Sequence, residues 1–130
     1  MELEVFFEDN LKVNAKLGDQ IIRTDQSIAA GGDGSAPAPF ELFLASIGTC
    51  SGIFVKHFCL QRGIDPTGIR ILQKHDFNPQ THMIEQINIE VHLPEGFPEK
   101  YKDVIIKVVD QCAVKRHLQH PPVFNVTTVS

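Results

Sequence analysis

Two of the three cysteines in this 130-residue chain lie where a thiol could do chemistry. Cys50 is set in a glycine-rich run between Gly48 and Gly52, and Cys112 follows 62 residues later, near the end of an amphipathic segment. A cysteine is a nucleophile only when its pKa and exposure favour the thiolate, and otherwise it packs as a small apolar side chain. The pair predicts thiol redox chemistry, with inert packing as the alternative.

The third cysteine, Cys59, is interpreted as a buried apolar residue. It follows Cys50 by nine residues, which on a helix places it on the opposite side and about 13 Å along the axis. Because a disulfide requires Cα atoms within about 7 Å, these two cannot bond while the helix is intact. No such restriction separates Cys50 from Cys112.

Composition limits the class of protein. With 42% apolar and 22% charged residues, the chain is predicted to form one soluble domain over residues 1–130. A formal net charge of -4 and the lack of a basic run argue against nucleic acid or a membrane as the main partner. The first residues do not resemble a secretory signal, so a cytoplasmic location is expected, where a disulfide is usually transient and catalytic.

Hydrophobic periodicity predicts an α+β fold with antiparallel sheets. Alternating apolar residues indicate a meander of three strands within residues 3–23 and further strands near 69–71 and 86–93. Pro98 opens a second amphipathic helix whose apolar stripe reaches Cys112, and Val123, Phe124 and Val126 suggest a closing strand.

The segment from Pro39 to Gln61 is predicted to be a long central helix that is buried on every side, because apolar residues occupy all its faces. A membrane span is disfavoured by Glu41, Lys56 and His57, which interrupt the apolar stretch. A chain of this size has difficulty covering a helix about 35 Å long, so a homodimer is expected. Gly48 and Gly52 would admit either a partner backbone or a close neighbour in the same chain.

Neither a metal nor a cofactor is predicted. The cysteine and histidines at Cys112, His117 and His120 match no standard zinc spacing. The Gly31-Gly32-Asp33-Gly34 string is not followed by the spacing of a phosphate-binding loop.

The run from Gly31 to Cys50, with its Pro-x-Glu-Leu and Gly-x-Cys strings, followed by Cys112 in a downstream helix, resembles the OsmC/Ohr family, including its YhfA-like branch. The resemblance covers nearly the whole chain. It implies an intertwined α+β homodimer with two active sites at the subunit interface. It also implies a thiol peroxidase that reduces organic hydroperoxides and that a dithiol, in some members a lipoylated one, recycles.

The resemblance assigns roles to four residues. Cys50 would be the peroxidatic thiol and Cys112 the resolving thiol. Glu41 is displaced by one position from the family's Pro-Glu string, so it either organises an arginine or is a first-turn carboxylate favoured by the helix dipole. Arg23, the only arginine before Cys50, is the candidate activating cation, and its alternative is a solvated strand residue.

Two functions remain open from the sequence. The first is a hydroperoxide reductase whose preference for fatty or aromatic substrates would come from apolar walls such as Phe40, Phe43, Phe54 and Tyr101. The second is a small-ligand-binding or stress-associated protein that keeps the fold while its thiols do little.

Overall fold

The computed structural model describes all 130 residues. They form two compact units, residues 1–45 and residues 46–130. The single domain over residues 1–130 stays a prediction.

The first unit contains the expected antiparallel meander. Its strands are β1 (Glu4–Phe7), β2 (Val13–Leu17) and β3 (Gln20–Thr24), in the order β1-β2-β3. The register pairs Val5 with Ala15 and Ala15 with Ile22, so alternate apolar side chains share one face of the sheet. Val5 and Ile22 remain exposed on that face.

The loop after β3 is organised by a buried carboxylate. Asp25 is completely buried and accepts hydrogen bonds from the backbone N–H of Gln26 at 2.7 Å and of Ser35 at 3.0 Å. The Ser35 hydroxyl donates a third at 2.6 Å. Asp25 thereby holds the two ends of residues 25–35 together.

The central helix α1 (Pro39–Gln61) has the bounds that the sequence predicts. Pro39 suits the first helical position because it has no N–H to satisfy, and Gly63 adopts the left-handed conformation that ends many helices. The helix is long and apolar enough to cross a membrane, but a soluble core helix passes the same test. Within one chain it buries a single stripe, formed by Ile47, Ser51, Val55, Phe58 and Cys59. Burial on every side is therefore not achieved by this chain alone.

The second unit packs a two-stranded sheet and two helices around that stripe. Strands β4 (Arg70–Asn78) and β5 (Met83–His92) form an antiparallel hairpin. A 3₁₀ turn (Glu99–Tyr101) leads into α2 (Lys102–Val109), and α3 (Ala113–Gln119) follows. The core comprises Val55, Phe58, Cys59, Phe97, Ile105 and Val109. These helices and antiparallel sheets confirm the α+β fold.

Gly48 and Gly52 of α1 face β4. A Cβ added to Gly48 would lie 2.8 Å from Oε1 of Gln73, and one added to Gly52 would lie 3.9 Å from Cδ1 of Ile71. Both glycines thus face a neighbour in the same chain, which was one of the two surroundings expected for them.

Two predictions near the C-terminus were wrong. The helix opened by Pro98 does not reach Cys112: α2 ends at Val109, and Cys112, with an extended ψ of 132°, is the N-cap of α3. No strand forms at residues 121–130, where Val123 and Phe124 are 84% and 83% exposed. A strand needs the backbone of a neighbour, and none of the five strands pairs with this segment.

Candidate active site

In the structure the thiols of Cys50 and Cys112 are neighbours, and each shifts the pKa of the other. Cys50 projects from the middle of α1 and is half-buried, whereas Cys112 is completely buried where α3 begins. Sγ of Cys112 also lies 4.0 Å from the carbonyl oxygen of Ile47, one turn before Cys50 on α1. Both thiols are free. The arrangement places one accessible thiol directly against one inaccessible thiol.

The environment of Cys50 favours its thiolate. Burial raises the pKa of this thiol, but the backbone N–H of Val114, the thiol of Cys112, the backbone N–H of Ala113 and the charge of Arg116 together hold the pKa below its ordinary value. Three of the four favourable groups belong to the first turns of α3. The break between α2 and α3 thus turns N–H groups toward the thiol, which an uninterrupted helix would have used internally.

The environment of Cys112 has the opposite effect. Burial raises the pKa of this thiol, and its hydrogen bond with Cys50 raises it further, against the N–H groups of Lys115 and Val114. Cys50 is therefore the thiol of the pair that ionises first.

Cys59 lies apart from this pair in the hydrophobic core. It is completely buried, and burial raises the pKa of its thiol. The interpretation of Cys59 as an apolar core residue is confirmed.

Glu41 and Arg23 are each engaged within the first unit. Oε1 of Glu41 accepts a hydrogen bond of 3.0 Å from the N–H of Ala38, the residue before α1, so this carboxylate caps its own helix. Nη1 of Arg23 lies 2.9 Å from Oε1 of Glu8, and buried Asn14 donates to the same oxygen. These contacts fit the first-turn role of Glu41 and the strand role of Arg23. The catalytic roles of both residues stay predictions.

The cation that acts on Cys50 is Arg116, which the sequence analysis did not single out. Its backbone N–H donates a 3.1 Å hydrogen bond to the carbonyl of Cys112, which places it one turn along α3 from the thiols. No carboxylate forms an ion pair with it among the 130 described residues. The signal that could have revealed it is the spacing of four residues between Cys112 and Arg116, one turn of a helix.

An apolar groove of about 600 Å³ lies in the same unit. Ile47 lines it together with side chains of β5, α2 and α3, so the residue whose carbonyl contacts Cys112 also borders the groove. The aromatic walls expected from the sequence do not line it. Phe40 stacks on Phe43 with ring centroids 5.7 Å apart, and Tyr101 packs edge-on against Phe58 in the core.

No group of three or more His, Cys, Asp or Glu side chains in the described chain is arranged to hold a metal ion.

Comparison with known proteins identifies the family. Residues 32–127 match the OsmC family of OsmC-like proteins, so the chain belongs to this family. No curated protein matches the chain.

Solved structures share the fold. An osmotic stress induced and detoxification response protein of Psychrobacter arcticus 273-4 is 17% identical, with a TM-score of 0.73 over 88% of this chain and 85% of that one. An OsmC organic hydroperoxide resistance protein of Legionella pneumophila is 13% identical, with a TM-score of 0.56 over 91% and 88%. A Vibrio cholerae organic hydroperoxide resistance protein, with captopril bound in one of its active sites, is 13% identical, with a TM-score of 0.57 over 93% and 86%.

Proposed function

We propose that this protein is a thiol peroxidase that reduces organic hydroperoxides with Cys50 and Cys112. The observation that carries the proposal is the contact between these two thiols, in which only Cys50 has a lowered pKa. A lowered pKa supplies the nucleophile, and a neighbouring thiol supplies the group that captures the oxidised product. The family and the hydroperoxide-resistance proteins that share the fold support a role in the response to oxidative stress.

The first step oxidises Cys50. Its thiolate attacks the O–O bond of the hydroperoxide, an S–O bond forms, and the alkoxide leaves and takes a proton to become an alcohol. Cys50 is then a sulfenic acid. Arg116 stabilises the starting thiolate by its charge, together with the N–H groups of Ala113 and Val114.

The second step joins the two cysteines. The sulfur of Cys112 attacks that of Cys50, an S–S bond forms, and the sulfenic oxygen leaves as water with the proton of Cys112. A dithiol then reduces this disulfide and is itself oxidised to a disulfide. The reductant that we propose is a small dithiol, of which a lipoylated protein is one source.

Consumption of cumene hydroperoxide in the presence of dithiothreitol tests the function. Cys50→Ser is expected to abolish turnover, and Cys59→Ala, which removes a thiol that lies outside the pair, is expected to retain it. Cys112→Ser should slow recycling because the sulfenic acid loses its resolving thiol. Turnover by Cys50→Ser at the wild-type rate would exclude the proposal.

Substrate preference gives a second test of the same proposal. The groove of about 600 Å³ offers mostly apolar walls beside the turn that carries Ile47, which suits a hydrocarbon substituent better than hydrogen peroxide. We expect cumene hydroperoxide to have the higher kcat/KM. A clear preference for hydrogen peroxide would contradict this part of the proposal.

Small-ligand binding is the second candidate, because neither cysteine of the pair lines the groove. In that case Cys50 and Cys112 should resist alkylation in the native protein, and Cys50→Ser and the wild type should consume hydroperoxide equally poorly.

The working assembly that we propose is a homodimer in the cytoplasm. Within one chain, Phe40, Ile53 and Leu60 of α1 are exposed, as are Val5 and Phe7 of β1. An isologous contact with a second copy would cover such surfaces. A reducing cytoplasm would keep the free thiols ready for reaction.

A further inference from the structure

The two cysteines of the pair differ in their exposure to solvent. Cys112 is 0% exposed, whereas Cys50 is half-buried. Thiol–disulfide exchange depends on which sulfur an incoming thiolate can reach. Resting on the function proposed above, we propose that the reductant enters at Cys50: its first thiolate forms a mixed disulfide with Cys50 and expels Cys112.

The burial of Cys112 comes from its own chain. Its sulfur lies against the carbonyl of Ile47 on one side and at the start of α3 on another, and Ile105 and Val109 of the preceding helix are also buried. A second copy of the chain can add cover to Cys112 but cannot remove this cover. An attacking thiolate therefore reaches Cys112 only after α3 moves away from α1.

Leaving-group strength acts in the opposite direction. A thiol of lower pKa leaves faster, and Cys50 has the lower pKa, so this factor alone favours attack at Cys112. The pKa of the leaving thiol changes the rate of exchange gradually, whereas a sulfur closed to solvent cannot be attacked until a local opening occurs. Access therefore decides the site of attack. The departing thiolate of Cys112 meets the N–H groups of Lys115 and Val114 and then takes a proton.

The second half of the exchange explains why a dithiol is needed. The remaining thiolate of the reductant attacks its own bonded sulfur, a new S–S bond forms within the reductant, and Cys50 leaves as the thiolate that the site stabilises. Cys112 competes by attacking Cys50 again and expelling the reductant. Because Cys112 is in contact with Cys50, a monothiol from solution cannot match its effective concentration, whereas the second thiol of a bound dithiol can.

Peptide mapping of a trapped adduct tests the site of entry. Trypsin places the three cysteines in separate peptides, 24–56, 57–62 and 108–115. The Cys50–Cys112 disulfide is formed in the wild-type protein with diamide, so the test does not depend on hydroperoxide as the oxidant. The oxidised protein is treated with 2-mercaptoethanol and then quenched with N-ethylmaleimide in a denaturant.

We expect 2-mercaptoethanol on peptide 24–56 and N-ethylmaleimide on peptide 108–115. This pattern should exceed the reverse pattern about tenfold or more. An adduct mainly on 108–115, or an equal distribution, would overturn the proposal. Peroxidase activity with the reverse pattern would refute this inference while leaving the proposed function intact.

If the adduct is too short-lived to trap, the rate at which dithiothreitol reduces the disulfide tests the site of entry instead. Ile47 is buried and its carbonyl contacts Cys112, so Ile47→Ala leaves a cavity beside this contact that favours local opening. Attack at Cys112 would then make reduction of the disulfide by dithiothreitol faster. With entry at Cys50, the rate is expected to stay within about twofold of the wild type. Acceleration of about tenfold by Ile47→Ala would contradict entry at Cys50.

Discussion

At the scale of single residues, the pKa of Cys50 depends on groups that α3 supplies. Alkylation by iodoacetamide measures the thiolate, because only the ionised sulfur reacts. In a Cys59→Ala background, the rate for Cys50 should fall with decreasing pH around a midpoint below the value of about 8.5 for a free cysteine. The reason is that the N–H groups of Val114 and Ala113 and the neighbouring thiol of Cys112 outweigh the effect of burial. A midpoint at or above the free value would contradict the description of the site.

Replacing Arg116 separates the effect of its charge on the pKa of Cys50 from the effect of the N–H groups of α3. Arg116→Gln removes a positive charge that lowers the pKa of Cys50, so it should shift the alkylation midpoint upward. Because Arg116 is exposed and screened by solvent, the rate at neutral pH should fall only about two- to fivefold. Lys115→Gln is the matched control, since this lysine pairs with Asp110 at 2.7 Å. An equal effect of both substitutions would show that Arg116 has no specific role.

The carboxylate of Asp25 makes the stability of the β3 loop depend on pH. The Ser35 hydroxyl and the N–H groups of Gln26 and Ser35 lower its pKa to about 2, below the ordinary value of 3.8 for this carboxyl. Since the folded pKa lies below the unfolded one, the stabilisation is complete above the unfolded value and is lost as pH falls through about 2. Asp25→Asn should lower the Tm at neutral pH and have little effect near pH 2. Equal losses of Tm at both pH values would contradict this account.

At the scale of elements, the contact between α1 and β4 has room for a small side chain at Gly52 but not for a large one at Gly48. Gly52→Ala should raise the free energy of unfolding by up to about 1 kcal/mol, because alanine is the better helix former and its Cβ makes an ordinary contact with Ile71. Gly48→Leu should lower it by about 1–3 kcal/mol, since the side chain must displace Gln73. Urea unfolding measures both. Dissociation of an otherwise stable dimer by Gly52→Ala would instead place this glycine at a subunit interface.

The ends of α1 and the break before Cys112 differ in how far they can be predicted from the sequence. Pro39 and Gly63 are local signals, and they bound α1 without help from tertiary structure. The break before Cys112 has no such signal, because the apolar stripe continues through it and only packing against α1 reveals it. The contact between the thiols and the role of Arg116 depend on that break. They could not be predicted from periodicity alone.

At the scale of the whole molecule, the exposed apolar surfaces predict self-association. Analytical ultracentrifugation should give about twice the chain mass of 14.5 kDa. Ile53→Lys places a charge on the exposed side of α1 and should shift the protein toward the monomer, whereas Lys56→Gln, one turn away, should not. A monomeric wild-type protein at micromolar concentration would contradict the proposed assembly.

The most direct test of the central claim counts thiols after a single oxidation. One equivalent of cumene hydroperoxide is added to the reduced protein, and the remaining thiols are alkylated in denaturant and mapped. The account predicts a disulfide between peptides 24–56 and 108–115, with Cys59 in peptide 57–62 the only thiol left to alkylate. Three alkylated cysteines, or a disulfide that includes Cys59, would contradict it.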